Sequence, residues 1–540
     1  MNNRKKNILL VAILSIVAIF NIFPRLGSLP LREWDESRVA ASAYEMYDSG
    51  NYLVATFDYT PDLWNTKPPL LLWLQALSIR FFGLGETAVR LPSALAMLCA
   101  ALSLFYFGSK LSRASAGFFS ALIFLCSKGL FFYHCGRSAD YDALMIMFCI
   151  LYCGFFYLYT RLKRNKYLIY FFLCLALGIL TKGIQAAIPL AGIFIFALFD
   201  KDLLSLVKNR TTYMGTGILV LLVGGFYLAR ECAAPGYLLS VWNNEVGGRF
   251  LSTLEQHSGD NLYYYRFLKD VQFSYFFWLV PAAFVINLIT KDPHTRKANL
   301  FCTSMALTYF LIITISRTKL QWYSLPIIPS LCVIIGLSFD FIRQTLSKKF
   351  FLLFEKRNAL SVGQNAVSPK RNAVSPKRNA VSPKRNAVSF YQNALLQTAV
   401  CLAVIAIFYS PCSEIIRHNI LSEEAEENKA YYSRVNLMKA AADNSLQHQY
   451  TEICYLNEER GQLDFFYYYY LKENGIYADR KIFEQLVSGD FLQVNRPETL
   501  EKLKQHYEIQ ETDSRISSHI FLLKSKKQQN NGNISDNTKL

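Results

Sequence analysis

Apolar runs long enough to cross a bilayer, about 17 to 25 residues each, recur along the first three quarters of this chain. They fall near 8–23, 91–108, 116–134, 143–160, 167–181, 184–199, 214–229, 271–289, 300–315, 322–341 and 394–410. Hydrocarbon offers no water to a peptide group, so such runs become helices that satisfy their own N–H and C=O groups. The fold class expected is a polytopic α-helical membrane protein of about 11 to 13 transmembrane helices. A hydrophobic share of 52% and a mean hydropathy of +0.18 agree with that solvent. The first run follows a basic "NRKK", as in a signal peptide. No small-x-small cleavage pattern precedes the acidic stretch behind it, and further runs follow, so it is read as the first anchor.

Lysine and arginine positions set the orientation. With Arg4, Lys5 and Lys6 cytoplasmic, the loops sharing their side carry Lys110 and Arg113, "RLKRNK", "KDLLSLVKNR", "KDPHTRK" and the basic stretch after Phe341. The loop around Asp35 and the C-terminal segment then lie outside. This distribution accounts for a net charge of +17 without a nucleic-acid partner. The 12 cysteines sit mainly inside apolar runs, without metal-ligand or paired spacing, and read as small hydrophobes.

The membrane domain is expected over 1–411. Within it the loop 24–90 is far longer than a connection requires. In "ESRVAASAYEMYDSG", Val39, Ala43 and Met46 share a helical face and Gly50 is placed to end the helix. "PPLLLWLQALSIRFFG" opens with proline at a permitted first-turn position and reads as an interfacial amphipathic helix. A basic cytoplasmic loop is expected over 342–393. Its tandem "RNAVSPK" units each carry a proline (Pro369, Pro376, Pro383), which removes helix hydrogen bonds and leaves a flexible linker. Residues 412–525 read as a small extracytoplasmic α/β domain, with strand-like "EICYLN" and "HIFLLK" beside helical "DFFYYYYLKEN" and "KIFEQLV". Residues 526–540 read as a disordered tail.

The adjacent Asp35 and Glu36 would serve equally as the first turn of a helix, where acids meet the dipole. Their loop, however, adds Arg38 within a turn and Lys67 before two prolines, so it holds a proton acceptor together with cations suited to phosphate. Three other outward stretches contribute polar groups. "GRSADYD" supplies Arg137, Asp140 and Asp142, the 230–270 loop supplies Glu245, Arg249, His257 and Tyr264, and "RTKLQWYSLPIIP" supplies Lys319 and Tyr323. Each alone fits an interfacial anchor. Their concentration on one side points to a substrate with a charged head at the interface and a tail in lipid, which a lipid-phosphate sugar satisfies.

"WDESRVAASAYEM", followed by "SGNYLVATFDYTPDLWNTKPPLLLWLQALSIRFFGLGETAVRLPSAL", resembles the acidic first loop, Lys-Pro signature and "G...E...RLPS" stretch of the GT-C-fold polyprenyl-phosphate-sugar glycosyltransferases. That superfamily includes the protein O-mannosyltransferases and the transferase that puts aminoarabinose on lipid A. The likeness extends more weakly through "GRSADYDALMIMF", "LGILTKG" and "KLQWYSLPIIPSL", covering about residues 5 to 342. It implies a GT-C-like fold and an inverting transfer from a polyprenyl (undecaprenyl) phosphate sugar to a lipid A, glycolipid or protein acceptor. The reaction would take place at the outer, periplasmic face of a bacterial inner membrane.

By the same resemblance Asp35 is the catalytic carboxylate, Glu36 assists it, and Asp142 positions acceptor or sugar. Lys67, Arg38 and Arg249 hold the donor phosphate. From the outward stretches themselves, Arg137, Asp140, Glu245, His257, Tyr264, Lys319 and Tyr323 are expected to bind substrate, and Lys182 of "TKG" matches a family element with no role given to it. The aminoarabinose enzymes carry an acid just before Lys-Pro, where this chain has Thr66. Neither the sugar nor a metal is therefore fixed; no cofactor is assigned, and a divalent metal stays open.

The alternative is a multispanning transporter or flippase of lipid-linked sugars. Ion-coupled carriers bury ionisable groups near the midplane, whereas the runs here are almost free of charge, Lys128 being the main exception. A non-catalytic scaffold leaves the grouping of Asp35 with Lys67 unexplained.

Overall fold

The computed structural model describes residues 3–132, 134–200, 203–253, 256–364, 402–419, 426–443, 445–446, 448–456, 462–515 and 518–527. Among them, seven helices are long and apolar enough to cross a membrane: Arg4–Ile22, Glu86–Leu111, Asp142–Leu162, Asn165–Ala187, Arg210–Ala233, Pro293–Ile315 and Gln321–Leu346. The chain is thus a multi-pass membrane protein. Shorter apolar helices, Ala114–Leu125, Pro189–Phe199 and Leu279–Ile289, occupy three other expected runs, and a helix over 402–419 covers the end of the last. These runs are shortened by local breaks. Gly183, at φ +59, ends one helix before Pro189 opens the next, and the run near 116–134 is interrupted between Leu125 and Gly129.

Small residues bring the helices close. At Gly108 a Cβ would stand 2.7 Å from the Cα of Gly117, so the helices Glu86–Leu111 and Ala114–Leu125 meet backbone to backbone there. The outward faces are apolar: Ile8, Ile16 and Phe20 on the first helix and Val220, Leu221 and Leu228 further on are exposed, as side chains solvated by lipid tails should be.

The first long loop carries the helices expected in it. Asp35–Ser49 is helical and closes on Gly50 in the left-handed conformation (φ 71°, ψ 5°), whose N–H bonds to Met46 O. Leu70–Phe82 follows. Between them, strands β1 (Thr56–Phe57) and β2 (Thr60–Pro61) make a short antiparallel hairpin.

Into the stretch expected as a basic loop from 342, the helix Ile328–Gln364 runs on past Phe341, since no glycine or proline lies between Phe341 and Gly363. The proline-bearing repeat units lie outside the described residues, as does the expected tail beyond residue 527.

The C-terminal domain is a mixed five-stranded sheet built from β3 (Glu452–Leu456), β4 (Tyr477–Lys481), β5 (Phe491–Val494), β6 (Tyr507–Arg515) and β7 (Ser518–Lys526). Its order is β4-β3-β5-β7-β6, with β3 parallel to both β4 and β5 and the β5–β7 and β7–β6 pairs antiparallel. Helix Gln462–Glu473 is the parallel crossover from β3 to β4. "KIFEQLV" is not the helix expected. Lys481 closes β4, and only one 3₁₀ turn, Phe483–Gln485, follows it. Pairing with β3 outweighs helical periodicity there, and the Asp490 carboxylate takes the Val487 N–H that a longer helix would use (2.9 Å). The domain sits at the same end of the bundle as the first loop, where Tyr467 reaches Leu31 and Glu86.

Candidate active site at the loop end of the bundle

Asp35 opens its helix directly after Trp34, a non-glycine residue held at φ 71°. Conformations this sparsely populated cost about 1–3 kcal/mol and persist where the surroundings impose them. One of those surroundings is Glu36. Its buried carboxylate receives Arg90 Nε (2.7 Å) and Nη2 (3.0 Å), Arg32 N–H (2.8 Å) and Ala139 N–H (2.8 Å). Arg90 also donates to the carbonyls of Leu26, Leu29 and Pro30. Burial pushes the Glu36 pKa up, but the charge and hydrogen bonds of Arg90 outweigh it and hold the carboxyl below its ordinary value. Every acceptor direction of Glu36, the residue expected to assist Asp35, is spent on tying the loop to the bundle, which also explains the arginine of "RLPS".

Asp35, one residue before Glu36, faces a polar cavity with about 610 Å³ of empty space. The first loop contributes Arg38, Trp64, Asn65 and Lys67 to its wall, and the "GRSADYD" turn contributes Asp140 and Tyr141. Glu245 and Arg249 come from Trp242–Leu251, a stretch of wide π-type turns in which residues four apart share one turn. Lys182, Gln185, Trp322 and Tyr323 complete the lining. Five stretches spread between Asp35 and Tyr323 thus converge.

Nearly every ionised group in this cavity has a short partner. Arg38 pairs with Asp62 through two bonds (3.0 and 2.8 Å), Lys182 Nζ lies 2.6 Å from Asp142 Oδ2, and His134 Nδ1 lies 2.5 Å from Asp140 Oδ2. Glu245 accepts from both Lys67 Nζ and Thr66 Oγ1, the latter at 3.0 Å. Position 66 lacks the acid that the resembled aminoarabinose enzymes have there, yet a carboxylate stands against Lys67 all the same, supplied from another helix. Arg249 Nη1 donates to Tyr323 Oη (2.8 Å), and its buried Nε has no partner among the described residues. The Arg249 carbonyl accepts from Thr318 N–H (3.1 Å) and Ser316 Oγ (2.8 Å), which stitches the "RTKLQWY" stretch to this helix.

Asp35 is the exception. Its side chain is 54% exposed at the cavity mouth, and its nearest ionic partner, His134 Nδ1, is 3.8 Å away. Partial burial and the neighbouring Asp140 carboxylate raise its pKa, against the opposing pull of His134, Lys182 and Arg249. A half-exposed carboxylate of raised basicity is a suitable proton acceptor. Burial draws the Lys67 ammonium below its usual range, and the cations Arg249 and Lys182 add to this against the pull of Glu245.

Next to the polar cavity lies a second one of about 780 Å³, walled by Ile184, Ile188, Val246, Phe250, Ile312 and Ile313. Gln185, Glu245, Arg249 and Tyr323 line both. Arg249 therefore stands where a polar pocket meets an apolar one, and Lys67 reaches that junction through its bond to Glu245.

Of the residues singled out in the sequence, Asp35, Arg38, Lys67, Asp140, Glu245, Arg249 and Tyr323 line the polar cavity, and Asp142 sits behind it on Lys182. Four others lie elsewhere. Arg137 donates to Ile22 O, and Tyr264 is buried, accepting from Leu320 N–H. Lys319 Nζ caps the carbonyl end of Pro293–Ile315 through Ile313, Thr314 and Ser316, and the His257 carbonyl receives the Lys319 N–H. His134, Asn65, Trp64, Tyr141, Gln185 and Trp322 were not expected. His134 ends an apolar run, which hides it, while Tyr141 and Trp322 lie inside motifs already marked for their charges.

Asp35, His134 and Asp140 each bring one ligand atom to within 4.8 Å of the others. This oxygen and nitrogen donor set suits a small divalent ion.

The architecture is a GT-C fold. It is similar to ArnT from Cupriavidus metallidurans, solved bound to undecaprenyl phosphate, with a TM-score of 0.67 over 95% of this chain and 97% of that one at 15% identity. It is also similar to the oligosaccharyltransferase AglB from Archaeoglobus fulgidus, with a TM-score of 0.51 over 91% of this chain and 66% of that one at 11% identity. In sequence, residues 66–225 match the family model described as dolichyl-phosphate-mannose-protein mannosyltransferase. The undecaprenyl phosphate-alpha-4-amino-4-deoxy-L-arabinose arabinosyl transferase of Shewanella sediminis is 28% identical over 331 residues, 59% of this chain. The match spans 58% of that relative's own length.

Proposed function

We propose that this chain is an inverting glycosyltransferase that moves a sugar from a polyprenyl phosphate to a lipid A-type glycolipid or protein acceptor. The observation that carries the reading is the junction of the two cavities. A polyprenyl phosphate has an anionic head and a long apolar tail; Arg249 lines both the polar and the apolar chamber, and Lys67, in the polar one, is bonded to Glu245, which also lines both. The partnerless Arg249 Nε is a donor awaiting an acceptor, and phosphate oxygen is one. Relatives named for undecaprenyl phosphate sugars support the donor class.

In this reading the acceptor oxygen attacks the anomeric carbon while the bond from that carbon to the phosphate oxygen breaks. The acceptor proton passes to Asp35, and the charge arriving on the departing polyprenyl phosphate is met by Lys67 and Arg249. Arg38 contributes at longer range, because Asp62 already holds it. Asp140, held by His134, and Asp142, held by Lys182, shape the sugar pocket. Attack from the face opposite the phosphate inverts the anomeric configuration. A divalent ion on Asp35, Asp140 and His134 would polarise an oxygen at that spot; the steps above use the chain's own residues.

The protein is placed in a bacterial inner membrane with its N-terminus in the cytoplasm and the cavity and C-terminal domain periplasmic, which the basic loops and the bacterial relatives support. The test is mass spectrometry of envelope lipids and glycoproteins from cells with and without the gene. One molecule losing one sugar supports the proposal, and identical profiles refute it.

A further inference from the structure

The C-terminal domain does more than rest on the bundle. Helix Gln462–Glu473 turns a row of aromatic side chains onto the first loop. Tyr467 Oη donates to Glu86 Oε1 (2.9 Å) and accepts from Leu31 N–H (3.1 Å), while Lys439 Nζ meets the same Glu86 oxygen at 2.7 Å. Glu86 opens the helix whose Arg90 anchors Glu36 beside Asp35. Tyr469 stacks on Tyr44 (4.7 Å between centroids) and donates to Glu45 (2.6 Å). The Glu45 carboxylate in turn receives the N–H groups of Asp58 (2.8 Å) and Tyr59 (3.1 Å), which form the β1–β2 turn in left-handed conformations at φ 57° and 56°. Phe465 packs on Phe57 of that hairpin at 4.5 Å, and the Arg38 guanidinium lies over the other partner of this contact, 4.2 Å from the Phe57 centroid. A continuous path therefore runs from the C-terminal domain through Phe465 and Phe57 to a cavity-lining cation.

We propose that Phe465, Tyr467 and Tyr469 are positioning residues of the transfer site: through the 56–61 hairpin and Glu86 the C-terminal domain holds Arg38 and the start of the Asp35 helix over the cavity. The proposal rests on the reading of that cavity as the site of transfer. Without the Phe465 contact, Phe57 is free to leave Arg38, which then keeps only Asp62, and the cationic field felt by a donor phosphate weakens. The reaction chemistry at Asp35 is left in place.

The experiment uses the full chain in detergent with undecaprenyl phosphate as the probe, read by tryptophan fluorescence, since Trp64 and Trp322 line the cavity. Phe465→Ala and Phe57→Ala are each expected to weaken binding about five- to tenfold, on the scale of a partly buried cation–π contact. In the double variant the loss is expected to match the larger single loss, because both act on one path. Donor KM should rise with kcat retained, which a loss of folded protein would not produce. Should Phe465→Ala not fold, Tyr469→Phe keeps the ring, removes the bond to Glu45 and is expected to weaken binding about twofold. Single variants that fold and bind like the unaltered protein overturn the proposal, and so do single losses that multiply. An unaltered protein that does not bind undecaprenyl phosphate overturns the transfer reading itself and the proposal with it.

Discussion

Glutamine in place of Glu245 removes one charge at the junction of the two cavities and keeps the side chain's shape. Lys67 then loses its counter-ion while Arg249 remains one turn away on the Glu245 helix. Removing one partner from a fully buried pair costs about 3–5 kcal/mol. Lys67 and Glu245 keep 14% and 12% of their side-chain exposure, so water screens part of the loss and about 2 kcal/mol is the expected figure. The cost falls on the lipid-free protein, because a bound polyprenyl phosphate would give Lys67 a new partner. Linkage then requires the lipid phosphate to bind more tightly by the same amount, about 30-fold at 1.4 kcal/mol per decade. The assay is thermal unfolding in detergent over a titration with undecaprenyl phosphate. Glu245→Gln should start below the unaltered protein and meet it at saturating lipid. Parallel curves, or weaker binding by the variant, would show that Glu245 does not compete with the phosphate for Lys67 and would refute the reasoning.

Four other changes have expected outcomes. Asp35→Asn should leave the fold and undecaprenyl phosphate binding intact while sugar transfer falls about 10²- to 10⁴-fold, the usual scale of a lost general base; single-turnover transfer with labelled donor measures this, and near-normal rates would remove the base. Arg90→Ala strands the Glu36 carboxylate and should destabilise the protein by about 3–5 kcal/mol, seen as a lower unfolding midpoint. Because the folded pKa of Glu36 lies below its unfolded value, its stabilisation is complete above the ordinary carboxylate range and lost as pH falls through the folded pKa. Midpoints across an acid series should therefore drop in the unaltered protein, and Glu36→Gln should flatten that part of the fall. Excising residues 364–390 should leave transfer unchanged, and an inactive product would give the repeat a task.

What could be read in the sequence was which groups share a side of the membrane, because hydropathy fixes the spans and basic loops fix their sides. That alone gathers Asp35, Lys67, Asp140, Glu245, Arg249 and Tyr323 onto one end, and the cavity contains them all. Pairing was not legible. Nothing in "DE" separates a carboxylate committed to Arg90 from one facing a cavity, and nothing in "TKP" discloses that Lys67 would meet an acid from a helix nearly two hundred residues on. Short capping tasks took Lys319 and Arg137 out of the site for the same reason: a cation near backbone carbonyls is held by them before any ligand arrives.

The pairing itself carries the last step of the argument. A buried charge without a partner is costly, so a site crowded with acids and cations settles by matching them. Glu36 takes Arg90, Asp62 takes Arg38, Asp140 takes His134, Asp142 takes Lys182 and Glu245 takes Lys67. Among these described acids, Asp35 is left with a nearest partner at 3.8 Å and with half of its side chain exposed. A carboxylate matched at short range to a cation is a poor base, because its negative charge is already stabilised. In the proposed reading, the arrangement that matches five neighbouring acids therefore leaves Asp35, at the mouth of the cavity, as the acid suited to take the acceptor's proton.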